Sequence, residues 1–441
     1  MKTVCISYQY IQIRNGTNME IRIPAPAQEI LRKLNENGYE AYVVGGCVRD
    51  MLLGREPGDW DITTSALPEQ VKQVFRRTVD TGIKHGTVTV MVDKEGYEVT
   101  TYRIDGNYSD GRHPDSVQFT PNLVEDLKRR DFTINAMAYN SQTGFVDEFG
   151  GVEDLEHGII RCVGEPMDRF TEDALRILRA IRFSAQLGFS IEEQTFRSIC
   201  VIAPNIAHVS KERIQVELTK LLLSRNPGHM AMVYGTGISP YVSETFCHAY
   251  AGEGIPAIPS AIPAVRHMRW AAFLRECSPD MAADILRDLK LDNDTIYRVR
   301  TLVEWQGRPF YAQKPCIRRV MSRMEPELFD NLLEFKRCLA EAFSSGKMSP
   351  AAGKGIRPME PRPETAGTLA QVRDLAGEIR HMGDCISLKT LAVTGHDIME
   401  AGVKPGKEVG ATLSRLLDMV LEDPGCNTKE YLLGHLAVRP R

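Results

Sequence analysis

Between Ala41 and Val71 the chain reads AYVVGGCVRDMLLGREPGDWDITTSALPEQV, and no other stretch constrains the fold as tightly. It reads as strand, turn, helix, strand. Asp59 and Asp61 stand at i and i+2, so on extended backbone both side chains point to one face. Two hard oxygen ligands aimed at one point suit Mg2+, which prefers carboxylates together with substrate phosphates. Gly45-Gly46, just ahead of a short helix over Val48–Leu53, offers backbone amides where a phosphate can dock. Read blandly, Gly58-Asp59 is turn-like and the two acids are ordinary loop residues. Metal and phosphate sites this close together point to phosphoryl or nucleotidyl transfer.

The flanking pattern builds an α+β unit over 27–140. Ile30, Leu31 and Leu34 repeat at helical spacing within Ala27–Asn37. Ala41–Val44 and Trp60–Thr63 read as strands, and Leu67-Pro68-Glu69 opens a helix through Phe75. Thr87–Val92 and Tyr97–Tyr102, rich in Val, Thr and Tyr, form a hairpin turned at Asp93–Gly96. Glu98 alternates away from Val99, and a neighbouring strand could bring it to the two aspartates as a third acid. Three acids on one point repel unless cations lie between them. Such a set serves two-metal chemistry, in which one ion activates a hydroxyl and the other holds a triphosphate.

After about residue 160 strand patterns vanish, and Phe170–Leu187, Thr195–Ala203 and Lys211–Leu223 read as helices. SPAAGKGIRPMEPRPETAG, dense in Pro, Gly and charge, is a linker or loop. At 441 residues the chain holds roughly two to four domains. Its net charge of −4 gives no global basic signature, so a nucleic-acid partner needs a local basic face. Apolar runs are too short for a membrane span, and the first 18 residues lack the apolar core of a signal peptide. Met19 is an alternative start. Ten scattered cysteines without C-x-x-C read as reduced thiols in a cytoplasmic setting.

Two further motifs carry chemistry. DLKRRDFTINA places Arg130 beside Asp131 and Asn135. It is either a solvated basic helix start or a site with Arg for phosphate and Asp/Asn for ribose, and the residues alone leave both open. EDALRILRAIRF, read as one helix, sets Asp173, Arg176 and Arg179 in about 60° steps along one side. That is either an i, i+3 surface pair or a base reader. A carboxylate only accepts and a guanidinium only donates. Cytosine and adenine each set an amino donor beside a ring-nitrogen acceptor, which one Asp–Arg pair complements; U and G do not match. The glycines fit neither G-x-G-x-x-G nor the P-loop pattern, and His396-Asp397 lacks a companion His/Asp set.

GGCVRDMLLGREPGDWDITTS, KHGTVTV with EVTTYR, DLKRRDFTINAMAYN and RFTEDALRILRAIRF, in this order, resemble the class II CCA-adding enzymes (tRNA nucleotidyltransferases) of the polymerase-β-like superfamily. The motifs span about 41–190, and Leu391–Leu433 resembles the bacterial tail. The resemblance implies an α+β nucleotidyltransferase head over 23–140 behind an N-terminal extension, 1–22. An all-α neck (141–213), body (214–345), linker (346–366) and tail (367–441) would follow. It implies two Mg2+ ions on Asp59, Asp61 and Glu98. Gly46, Arg49 and Arg130 would contact the nucleotide, Asp131 and Asn135 its ribose, and Asp173 and Arg176 its base edge. Arg179 and Arg182 would support them or the phosphates. Partners would be tRNA, CTP and ATP, with no membrane and no obligatory protein partner. The loop Ile104–Phe119 resembles that of CCA- and A-adding members, which disfavours CC addition. A-adding and poly(A) enzymes share the head motifs and stay open, as does a silent RNA-binding relative.

Overall fold

In the computed structural model the described residues are 22–106, 116–250, 255, 257–345 and 365–436, with the backbone of 10–12 and 18–20. Most of the extension 1–22, the centre of the 104–119 loop and nearly all of the 346–366 linker therefore lie outside them; within the extension, Tyr10–Gln12 pairs antiparallel with Asn18–Glu20. The chain divides into two compact units, Met1–His248 and Ala249–Arg441.

The first unit is built on a seven-stranded sheet. In chain order its strands are β1 Ala41–Val44, β2 Ile62–Thr64, β3 Thr78–Gly82, β4 Thr87–Val92, β5 Glu95–Thr101, β6 Ala138–Asn140 and β7 Gly144–Val146. Their order across the sheet is β7-β6-β1-β2-β5-β4-β3. Only β2 and β5 pair in parallel, with Ile62 opposite Val99. Helix α1, Ala25–Glu36, buries Ala27, Ile30, Leu31 and Leu34 and packs on β1 and β2. Tyr42 and Val44 alternate to the other face, where they meet Tyr102, Leu127, Ala136 and Ala138.

Helix α2, Gly46–Leu52, joins β1 towards β2. The strand expected over Trp60–Thr63 starts instead at Ile62, so both aspartates precede it on irregular backbone. Even so, the Asp61 carbonyl accepts from the Val44 N–H at 3.0 Å, which ties it to β1. The hairpin is tighter than expected. Val92 faces Glu95 across a turn of Asp93 and Lys94, whose φ angles are 49° and 74°. The right-handed twist of the strands selects such a turn, although neither residue is glycine.

Beyond the sheet and a separate antiparallel pair, Arg103–Asp105 with Val117–Phe119, the unit is mostly helical: α3 Pro68–Val74 and α4 Leu123–Lys128 in the sheet region, then α5 Gly151–His157, α6 Pro166–Glu172, α7 Leu175–Leu187, α8 Glu193–Ile202 and α9 Lys211–Leu222. Strand β7, which falls inside 141–213, and one short parallel pair, Ile159–Ile160 with Ser190–Ile191, depart from the all-helical expectation. Two residues a side are too few to leave a period-2 pattern. Among the described residues the second unit has helices and no strand, and no helix is long and apolar enough to cross a membrane.

Lys94→Gly is expected to raise stability by about 0.5–1 kcal/mol in urea unfolding, because glycine adopts positive φ without the Cβ clash. A lower midpoint would show that the turn does not strain Lys94.

Candidate active site

The parallel β2–β5 register brings the acids together. Ile62 pairs with Val99, so Asp61, just ahead of β2, and Glu98, within β5, each immediately precede that pair. Asp59, Asp61 and Glu98 are all solvent-exposed. Crowding by protein pushes the Asp61 carboxyl above its ordinary range; Arg130 draws it back and Asp59 adds to the rise. Desolvation likewise raises Glu98, and Asp61 and Asp59 raise it further. The three carboxylates thus repel one another across one small region, with Arg130 as the nearby cation. As placed, no three His, Cys, Asp or Glu side chains among the described residues are grouped to hold a metal ion.

The Gly45-Gly46 turn faces the same region. Gly45 has φ +81°, and a Cβ there would meet Arg130 Nη1 at 3.0 Å. Glycine is therefore needed both for the backbone angle and for the approach of the guanidinium. The Gly45 amide is engaged, donating to the Met137 carbonyl at 3.1 Å. That leaves the Gly46 N–H, in the first turn of α2, as the member of the pair able to meet a phosphate. Asp126, fully buried, holds Arg130 from behind at 3.5 Å and Arg129 at 2.8 Å, and accepts from the Thr63 hydroxyl at 3.1 Å.

A second cluster runs from α2 to α7. Arg49 donates to the Asn135 side-chain oxygen Oδ1 at 2.6 Å, and the Asn135 side-chain Nδ2 donates to Asp131 at 3.1 Å. Arg179 then donates to Asp131 through Nε and Nη2 at 2.8 and 2.6 Å. Arg182 is buried against Glu217 of α9 at 2.5 Å, so it supports the cluster rather than facing solvent. The Phe183 ring stands among three guanidinium groups. Arg182, Arg49 and Arg179 lie 3.9, 5.1 and 5.4 Å from its centroid. Its π faces offset part of the repulsion of so many cations.

The motif expected as one helix is two. α6 ends at Glu172 and α7 begins at Leu175, with Asp173 extended between them at φ −144°, ψ 101°. The Asp173 side chain accepts from the Leu175 N–H at 3.1 Å and from Arg213 at 2.7 Å. This local acceptance competes with helix continuation. Arg176 pairs with Glu172 at 2.6 Å and donates to the Arg129 carbonyl at 3.2 Å. Asp173 and Arg176 are therefore neighbours that bond other partners. Asp173 also acts electrostatically on Arg179, which places it in the Asp131 cluster.

Asp126, Phe183, Arg213 and Glu217 escaped the sequence reading. Asp126 and Phe183 lay inside quoted motifs. Arg213 and Glu217 carry no local signal, because only the packing of α9 on α7 brings them here. Asp397 closes a capping box with Thr394 and bonds Lys429 at 2.5 Å, a helix-end role instead of a metal role.

Residues 41–161 match the family model described as poly A polymerase head domain. Residues 188–243 match that of a probable RNA and SrmB-binding site of polymerase A. A CCA-adding enzyme of Geobacillus thermodenitrificans is 39% identical over 420 residues, covering 93% of this chain and 96% of the relative. The chain belongs to the CCA-adding enzyme family. Another such enzyme, of Enterococcus faecalis, is 36% identical over 92% of the chain and 94% of its own length. The crystal structure of the Bacillus stearothermophilus CCA-adding enzyme in complex with CTP matches with a TM-score of 0.74 at 32% identity, covering 94% of this chain and 97% of that one. A Thermotoga maritima CCA-adding enzyme complexed with tRNA, 21% identical with a TM-score of 0.58, shares the fold. The head with its small mixed sheet and the helical remainder are the architecture of this nucleotidyltransferase family.

Burial opposes ionisation of Asp131, but Arg179 and the Asn135 amide outweigh it and hold its carboxyl at about 2. Its ordinary value is 3.8, so the stabilisation is complete above about pH 4 and is lost as pH falls towards 2. Asp131→Asn is expected to cost on the order of 2 kcal/mol at pH 7. In urea unfolding the gap from the parent should close between about pH 4 and 2, and a gap that stays constant would contradict the coupling.

Proposed function

We propose that this chain adds CCA to tRNA 3′ ends from CTP and ATP, without a nucleic-acid template and with release of pyrophosphate. The observation that carries the reading is the mutual influence of Asp59, Asp61 and Glu98 beside Arg130, in a chain of the CCA-adding family. The donor set fits magnesium: three carboxylates with hard oxygens, two of them held above their ordinary range by desolvation and one another. Asp59 and Asp61 are exposed on irregular backbone, so neither side chain is packed against the core and both are able to turn toward a cation. Asp59, Asp61 and Glu98 would hold two ions, which when bound acidify the RNA 3′ hydroxyl and neutralise the triphosphate.

The other residues divide the nucleotide among them. Arg130 and the Gly46 N–H, with Arg49 beside them, bind the phosphates. Asn135 and Asp131 take the ribose hydroxyls, their side chains held in place by Arg49 and Arg179. Asp173 and Arg176 read the base edge after exchanging their present partners, Arg213 and Glu172, for the base's donor and acceptor. Arg179 and Arg182 brace this pair. In domain terms the head is 23–140, the neck 141–213, the body 214–345 and the tail 367–441, the last two gripping tRNA by backbone and shape. All nine cysteines among the described residues are free thiols, in keeping with a reducing cytoplasmic setting.

Product length on a tRNA lacking CCA decides among relatives: three added nucleotides support this reading. A single added A supports an A-adding enzyme, and long tails support poly(A) polymerisation, which the head model's description keeps in view. Asp61→Ala is expected to abolish incorporation by at least about a thousandfold while tRNA binding persists; retained turnover would remove the metal role. Chelation by EDTA is expected to stop the parent equally. Asp173→Ala is expected to raise UTP and GTP incorporation relative to CTP and ATP, and unchanged discrimination would count against the base-reading pair.

A further inference from the structure

A cavity of about 660 Å³ opens in the second unit between the helices Asn293–Gln306, Lys314–Met321 and Pro326–Ser344. Its floor is apolar. Phe310 and Phe329, both buried, stack at 6.1 Å between centroids. Its walls are aromatic and unusually open: Tyr311 is 61% exposed and Tyr297 45% exposed. Trp305 lines the same cavity, with the Arg308 guanidinium 4.4 Å from its ring centroid.

The rim is cationic. Arg300, Arg308, Arg319 and Arg323 face one acid in the lining, Glu304. Glu304 is taken by Arg308 at 2.5 Å, Arg300 leans on Asp280 at 3.0 Å and Arg319 on Glu422 at 2.5 Å. Arg323 is exposed, and its guanidinium has no ion-pair partner among the described residues. The acids that pair Arg300 and Arg319 lie outside the lining, so an anion entering the cavity meets guanidinium groups first.

Two requirements follow for the occupant. The aromatic walls favour a flat π-system, and the arginines favour a phosphate or other oxyanion. A simple anion leaves the aromatic walls in water, and an apolar ligand leaves the guanidinium groups unsatisfied. A nucleotide meets both needs, and a concavity of this volume is of ligand-pocket size, unlike the flat contact a bilayer would make. We infer that this cavity holds one unstacked nucleotide of the RNA substrate, its base against Trp305 and Tyr311 and its phosphate at Arg323. The inference rests on the RNA-directed function proposed above and adds to it a discrete stacking site, remote in sequence from the acids. Base stacking on aromatic side chains is the usual way proteins hold splayed RNA bases.

The test compares parent, Tyr311→Ala, Trp305→Leu and Arg323→Glu, all as full chains, in binding a tRNA transcript that lacks CCA. Tyr311 and Arg323 are exposed, so their variants are expected to melt with the parent and to report on binding alone. Tyr311→Ala and Trp305→Leu are each expected to raise the Kd for the transcript roughly tenfold. KM for CTP and ATP at saturating transcript should move less than about twofold. Arg323→Glu is expected to weaken binding and to reduce the slope of log affinity against log salt by about 1. Unchanged affinity in Tyr311→Ala and Arg323→Glu overturns the inference. So does loss of binding to anionic phosphatidylglycerol vesicles with transcript affinity intact. A parent that lengthens the transcript by three nucleotides while these variants bind it normally defeats the stacking site alone. A parent that adds nothing defeats the proposed activity instead.

Discussion

One buried carboxylate organises the first unit of this molecule. Asp131 sits just after the basic run of α4 and has little water to solvate it, so its charge survives only on protein partners. Those partners come from separate parts of the chain: Asn135 from the same loop, Arg179 from α7, and Arg49 from α2 through Asn135. Each link fixes the rotamer of the next. Helices α2 and α7 are thereby held in one polar network, with the Phe183 ring filling the space between three cations.

The acids at the central strands of the sheet are arranged on the opposite principle. Asp59, Asp61 and Glu98 stand exposed and repel one another, and Asp61 meets Arg130, itself anchored by the buried Asp126. The Asp131 network is satisfied within the protein, whereas the three acids are not. A site satisfied from within holds its shape, and one left with excess like charge attracts cations. The two sites lie on either side of Arg130 and Asp131, adjacent residues facing different demands. In the second unit, cations instead surround an aromatic cavity, which calls for a different ligand chemistry.

Much of the sheet unit was legible in the sequence because its signals are local. β1 runs over Ala41–Val44 as the apolar run implies, and β4 over Thr87–Val92 as the β-branched pattern implies. Misplaced boundaries had physical causes. β2 starts late because its ladder with β1 and β5 begins at Ile62. The hairpin turn is shorter because strand twist admits two positive-φ residues even where glycine is absent. The Asp173 break was hidden because its carboxylate accepts a hydrogen bond from the backbone two residues on, in a stretch whose apolar spacing still reads as helix.

The sequence by itself determined the chemistry on offer: acids beside and on short strands, glycine close to them, arginines and an asparagine nearby, helices thereafter. These follow from residue type and short-range periodicity, which act within a few positions along the chain. Only the tertiary structure decided which charges face each other. That Arg213 holds Asp173, that Glu217 holds Arg182, and that the Gly45 amide is already engaged depend on side chains and backbone groups dozens of residues apart. Electrostatic and hydrogen-bonding energies depend on distance in space, and packing of the core alone sets that distance.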